Sequence, residues 1–366
     1  MSTTTFPTTH ALAVKVWEKT LFNDAVKGTL YGQLTGASDR AVVQVKDVLK
    51  KSDGDKITFG LRALPTGTGV QDDETLEGNE EGLDFKDYSI YLGEKRHAVK
   101  VDLNLSEQRT MIDVRAEAKV AIGEWTEEYI DTTFFEFLTG SGQGATTLIS
   151  KYHPRSGSGL SLGGNALTAP SANRIVYGGV GIVAKNARTA TDTMSFSVLD
   201  KIAERCKLAT PTMRKAQYNG KSCWVVIMHP YQVNDLRANT GNLQWGDIVK
   251  AEISGGGQNK FEGEILGMYR EMLLIESTRI PTFSDYGAGS NVKAARALVL
   301  GAQAAVVAHG KKTDKDGKMS LVERTFDYGK RYGVAITMIW GMGKTKFTSQ
   351  DDFGVFAVDT AAAPHN

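Results

Sequence analysis

Hydrophobic positions recur at helical spacing over one exceptionally long stretch, residues 106–140. Met111, Val114, Ala118, Ile122, Trp125 and Tyr129 step by three or four and share one face, while Arg109, Asp113, Glu117, Glu124, Glu127 and Glu128 mostly lie elsewhere. No proline interrupts it. Ser106 followed by Glu107 is a start signal, and Thr139-Gly140 is a stop. At ~1.5 Å per residue the pattern predicts a rod of roughly 50 Å, with Gly123 permitting a bend. Heptads do not persist and the rest of the chain is strand-rich, so the rod is expected to lie along a sheet.

Elsewhere the period is mostly two. Residues 56–64 alternate Ile57, Phe59 and Leu61 with Thr58, Gly60 and Arg62; residues 85–105 resume with Tyr88, Ile90 and Leu92, then Val99, Val101 and Leu103. Between them lies a glycine-rich segment carrying Asp72, Asp73, Glu74, Glu77, Glu80 and Glu81. This predicts a long two-stranded excursion over 51–104 with an acidic tip, either a solvated loop or a tongue lying on another subunit. Residues 1–50 are Thr-rich at the start, with a modest amphipathic helix over 11–22 around Trp17, and read as an arm. Residues 141–195 are rich in Gly, Ser and Thr and read as an insertion or connector. A short helix over 197–208 puts Val198, Ile202 and Cys206 on one side. An apolar strand over 221–228 is stopped by His229-Pro230, and a helix turns back over 231–236. That is a strand–turn–helix unit of an α/β lobe, and 265–280 supplies more strand. From Ala297 the strands run consecutively. The expected organisation is a domain of 105–140 and 296–366 that covers the long helix, with 141–295 inserted into it.

Composition narrows the class. Lys and Arg total 43 against 42 for Asp and Glu, a formal net charge of +1. A chain built chiefly to grip nucleic acid would be more basic, whereas near-neutrality removes long-range repulsion between copies. The thiols Cys206 and Cys223 suggest a reducing compartment and no disulfide scaffold. No segment has the length of a membrane span or the pattern of a signal peptide, so synthesis in the cytoplasm is expected.

Catalytic and ligand motifs are weak. Residues 338–345 end like a phosphate loop, but Met338 stands where the first glycine belongs. Asp314 and Asp316 sit at ligand spacing without the rest of a calcium loop, and a hairpin turn is the simpler reading. The histidines show no zinc spacing, and His229 is most simply structural. No catalytic residue, metal ligand or cofactor site is indicated.

The order of parts, together with residues 72–99 (DETLEGNEEGLDFKDYSIYLGEKRHAV), 224–237 (WVVIMHPYQVNDLR) and 321–347 (LVERTFDYGKRYGVAITMIWGMGKTKF), resembles the major capsid proteins of tailed bacteriophages, in particular the podovirus-type family. The resemblance runs from about Thr20 to Asp359 and is weakest over 141–195. It implies an α+β fold with an N-terminal arm, an extended loop, a peripheral domain on a spine helix and an inserted axial domain. It also implies a structural protein rather than an enzyme. Its copies would form hexamers and pentamers of an icosahedral shell around double-stranded DNA, assembled in the host cytoplasm and resident in the virion. Further implied partners are a scaffolding protein, a portal, a decoration protein and genomic DNA held without sequence preference, with no membrane. Residues 65–83 would reach across a neighbour and the arm, with Trp17, would strap another. The acids Asp72, Asp73, Glu74, Glu77, Glu80 and Glu81 would then meet Lys95 and Arg96, or Lys311, Lys312, Lys315 and Lys318. A cellular compartment shell of the same fold and an enzyme with a scattered site are the alternatives.

Overall fold

The computed structural model describes residues 29–49, 54–62, 69–72, 75–83, 85–102, 113–140, 161–162, 164–179, 181, 183–218, 220–238, 265–310, 319–347 and 351–365. The expected arm helix over 11–22 lies outside them. In chain order the elements used below are helix α1 (Leu30–Leu34), strands β1 (Val43–Leu49), β2 (Lys56–Arg62), β3 (Phe85–Tyr91) and β4 (Gly93–Asp102), and the long helix α2 (Val114–Thr139). There follow α3 (Phe196–Leu208), β5 (Lys221–Met228), α4 (Pro230–Ala238), β6 (Val292–Leu300), β7 (Ala305–Gly310), β8 (Met319–Phe326), β9 (Arg331–Lys344) and β10 (Val355–Ala361).

Helix α2 ends where expected and starts later. Asp113, in extended conformation, accepts hydrogen bonds from the backbone N–H groups of Arg115 and Ala116. The described helix therefore begins at Val114, and its 26 residues make a rod of roughly 40 Å. Asp caps as well as Ser does, and one β-region residue at 113 stops any continuous helix from Ser106. At the other end Gly140 adopts φ 67°, and a Cβ there would stand 2.4 Å from the Thr168 carbonyl oxygen. Only glycine fits that stop.

Two sheets sandwich the helix. The six-stranded sheet runs Thr35–Gly36, β1, β7, β9, β8, with β4 along the other side of β9. The eight-stranded sheet runs Ile265–Tyr269, Met272–Glu276, β5, β6, β10, Ile175–Tyr177, with Thr282–Tyr286 on β6 and Ala216–Tyr218 on β5. Strand β5 is buried on both faces. Cys223, Val225 and Ile227 join the core around α2, while Trp224, Val226 and Met228 pack with Val198, Leu199 and Ile202 of α3 and Val233 and Leu236 of α4.

Sheet membership redraws the expected boundaries. The strand β6 crosses position 296, and it and β10 lie in the eight-stranded sheet with β5. The expectation placed all strands after 296 over the long helix. Strands that are apolar on both faces carry no pattern that names their partner, so consecutive order misleads here. The segment 29–49 is likewise no free arm. Tyr31 packs edge-on to Phe134 of α2, and β1 runs parallel to β7. Strand β4 is not part of the excursion. It pairs with β9 from Gly93–Trp340 to Asp102–Arg331, and only β2 and β3 form the two-stranded piece.

Candidate functional site

The β2–β3 hairpin is built by alternation. Ile57, Phe59 and Ile90 are buried against Val306 and Ala308 of β7, with Phe347 and Phe353 closing the cluster. The hairpin therefore lies on the outer face of its own six-stranded sheet, and the expectation that both strands project is corrected. Strands with one apolar face gain stability from the nearest sheet that can cover it. The sheet makes room with glycine. A Cβ at Gly341 would stand 2.0 Å from the Tyr91 carbonyl oxygen, and one at Gly343 would stand 2.7 Å from the Tyr88 hydroxyl. Asn165 fixes the approach: the Tyr91 N–H donates to its Oδ1 at 2.7 Å, and its Nδ2 donates to the Tyr91 carbonyl at 2.6 Å. Two glycines of the phosphate-loop-like run are thus packing residues. Its lysine, Lys344, is buried and donates to Asp352 at 2.9 Å and to the carbonyls of Thr168 and Ala169. Burial lowers the Lys344 pKa to about 8, against the pull of Asp352.

Beyond Phe85 the described residues of the loop are largely exposed. Asp72, Glu77, Glu80 and Glu81 are exposed, and so are three large apolar residues, Leu76 (61%), Leu83 (58%) and Phe85 (65%). A local turn orders this tip: the Asn79 N–H donates to the Leu76 carbonyl and the Gly78 N–H to Glu80 Oε2. Sequence reading missed the apolar half of the loop, although Leu76, Leu83 and Phe85 are plain among the acids. The candidate basic partners Lys95 and Arg96 stand on β4. Lys95 Nζ lies over the Tyr129 ring at 5.5 Å, and Arg96 Nε is 4.0 Å from Glu94 Oε1. Trp17, Asp73, Glu74, Lys311, Lys312, Lys315 and Lys318, like the possible calcium-loop pair Asp314 and Asp316, lie outside the described residues.

Ion networks hold the two ends of α2. At the C-terminal end Arg296 makes a two-pronged pair with Asp359 (Nε–Oδ1 2.7 Å, Nη2–Oδ2 2.9 Å) and donates from Nη1 to the Thr139 carbonyl at 3.2 Å. The Tyr286 hydroxyl donates to Asp359 at 2.8 Å, and the group is buried. Asp131 accepts the Tyr31 N–H and pairs with Arg279 at 3.1 Å. At the N-terminal end Glu323 of β8 takes Arg115 at 2.9 Å and Lys119 at 2.5 Å. Burial pushes the Glu323 carboxyl up, but hydrogen bonds led by Lys119 outweigh it and bring the pKa down to about 2. The Cys206 thiol, pushed up to about 12 by burial, is held in its unreactive form, and burial also raises Cys223. His229 accepts the Tyr231 N–H on Nδ1, a cap on α4, and burial lowers its pKa.

The fold recurs in known proteins. The sequence profile of the family described as Phage capsid protein matches residues 5–364. The Major capsid protein of Pseudomonas phage KPP25 is 26% identical over 368 residues, covering 95% of this chain and 94% of that protein. Among solved structures, the capsid of Ralstonia phage GP4 superposes with a TM-score of 0.79 at 32% identity, over 91% of both chains. The capsid of Cyanophage Pam1 shares the fold at a TM-score of 0.69 and 19% identity, over 93% of this chain and 94% of that one.

Proposed function

This chain belongs to the phage capsid protein family, and from that premise we propose that its copies assemble as hexamers and pentamers of an icosahedral shell around a double-stranded DNA genome. Assembly takes place in the host cytoplasm, with a scaffolding protein, a portal and a decoration protein as further partners and with DNA touched without sequence preference. The role is structural, with no catalytic site or cofactor. In this reading the eight-stranded sheet with α3 and α4 is the axial part, and the six-stranded sheet with α2 is the peripheral part.

One observation carries the proposal. The loop beyond β2 and β3 exposes Leu76, Leu83 and Phe85 amid Asp72, Glu77, Glu80 and Glu81. Apolar side chains held out on an ordered turn are stabilised when a neighbour covers them. The acids set the register against cations of that neighbour, Lys95 and Arg96 among the candidates. Each exposed pair adds about 0–1 kcal/mol, and repetition over a shell makes the sum large.

Electron microscopy of the purified chain, with mass photometry beside it, tests the proposal. Closed shells, tubes or rings of five and six are expected, and a small closed oligomer such as a dimer would overturn the reading. Reversing the charge of Asp72 and Asp73 is expected to lower shell stability and to flatten its dependence on salt. Shells that ignore both the reversal and the salt would sink the acidic-loop contact.

A further inference from the structure

Beyond Glu323, which holds α2 through Arg115 and Lys119, the β8–β9 hairpin runs out to an exposed tip. Strand β8 is buried at Met319 and Leu321, but all five residues from Val322 to Phe326 are exposed, so both faces leave the core. The turn that follows holds three successive residues in the left-handed region: Asp327 (φ 54°), Tyr328 (φ 49°) and Gly329 (φ 91°). Glycine takes this region freely and aspartate tolerates it, but for tyrosine it is a strained conformation. Tyr328 is nonetheless fully exposed (110%), with Val322 (53%) and Phe326 (38%) supplying more apolar surface on the same hairpin. Backbone strain that projects an aromatic ring into solvent, with no packing in return, points to a contact outside the subunit.

The charges around the tip identify the partner. Phe326 sits between Lys100 (5.1 Å) and Arg324 (5.3 Å), Arg331 pairs with Asp102 at 3.0 Å, and Asp327 and Lys330 flank Tyr328 in the turn. A tip bearing both signs within a few residues complements itself, whereas a uniformly acidic or basic partner would meet repulsion from half of it. We propose that Tyr328 seats against the corresponding tip of a second copy of this chain, ring on apolar hairpin surface and Asp327 toward the basic residues of its neighbour. The inference rests on the shell reading above and adds a specific contact to it.

Three variants of the full chain test it: Tyr328→Asn, which removes the ring and puts the best-tolerated non-glycine residue at this φ, Tyr328→Phe, which keeps the ring, and Tyr328→Cys. For Tyr328→Asn the concentration of free subunit coexisting with shells is expected to rise at least about fivefold, a weakening of about 1 kcal/mol per subunit, while the melting temperature of the free subunit stays level or rises. Tyr328→Phe is expected to assemble as the wild type does. In assembled Tyr328→Cys a short bismaleimide is expected to join 328 to 328, because Cys206 and Cys223 are buried, and to leave free subunits unjoined. Unchanged assembly of Tyr328→Asn, or a fall in its subunit stability, would overturn the contact. Assembled shells without 328–328 products would overturn the like-tip partner. A wild-type chain that forms only a small closed oligomer such as a dimer overturns the shell reading and this contact with it.

Discussion

The two ends of helix α2 are held by similar chemistry in opposite surroundings. Near the N-terminus, Arg115 and Lys119 grip Glu323 at a surface where the carboxylate is 30% exposed, and Val120 and Ala121 beside them face water. Near the C-terminus every residue from Thr133 to Gly140 is buried, because a sheet lies on either side, and the closing ion pair is Arg296 with Asp359, 12% and 1% exposed. A cation at the last turn also suits the helix dipole. The first arrangement lets one end slide with little loss. The second fixes the other end, since the buried charges have no water to turn to if they separate. For a shell subunit this is a rod clamped at its C-terminal end and more yielding at its N-terminal end.

Truncation in the core should break the comparison most strongly. Phe134 is fully buried, edge-on to Tyr31 and Phe135. Phe134→Ala is expected to cost about 4 kcal/mol in denaturant unfolding, whereas Val120→Ala, at a 55% exposed position, should stay within about 0.5 kcal/mol. Equal losses would mean that the two halves do not differ. Next in size is Arg296→Ala, which strands Asp359 and leaves the Thr139 carbonyl with one donor fewer. About 3 kcal/mol is expected, with amide exchange faster in the last turn of α2 before the first. Asp113→Ala removes the N-cap and is expected to cost about 1 kcal/mol, its exchange effect confined to the first turn.

These contrasts were partly legible in the sequence. The helical face with Ala118, Ile122 and Tyr129, the stop at Gly140, the strand–proline–helix unit from 221 and the alternation of β2 and β3 were all written in period and punctuation. The start was not, because Ser106 and Asp113 are equally good caps and only tertiary structure chooses between them. The run FFEFL at 134–138 is apolar on several faces, which is the mark of a helix end enclosed on all sides, yet an amphipathic template sees only one face. Arg296 and Asp359 stand 63 positions apart as unremarkable letters. The same holds for the glycines at 341 and 343, whose reason is the approach of Tyr88 and Tyr91 from far upstream.

The smallest expected effect is also the one that separates the two ends by sign. Glu323 has its folded pKa depressed from 4.5 to about 2. Its contribution is therefore complete above pH 4.5 and is lost as the pH falls toward 2. Because the site is partly open to solvent, Glu323→Gln should cost only about 0.5–1 kcal/mol at neutral pH, and the gap between the wild type and this variant should close on acidification. Asp131, in the enclosed half, runs the other way. Burial raises its pKa above the ordinary 3.8, against the Tyr31 N–H and Arg279. Over that window the folded chain holds the extra proton, so acidification stabilises it relative to Asp131→Asn. Denaturant unfolding of the two variants against the wild type, stepped from pH 7 to pH 3, should give differences of opposite slope. Parallel slopes would show that the two halves of the helix meet the same dielectric, and the distinction between a yielding end and a clamped end would fall.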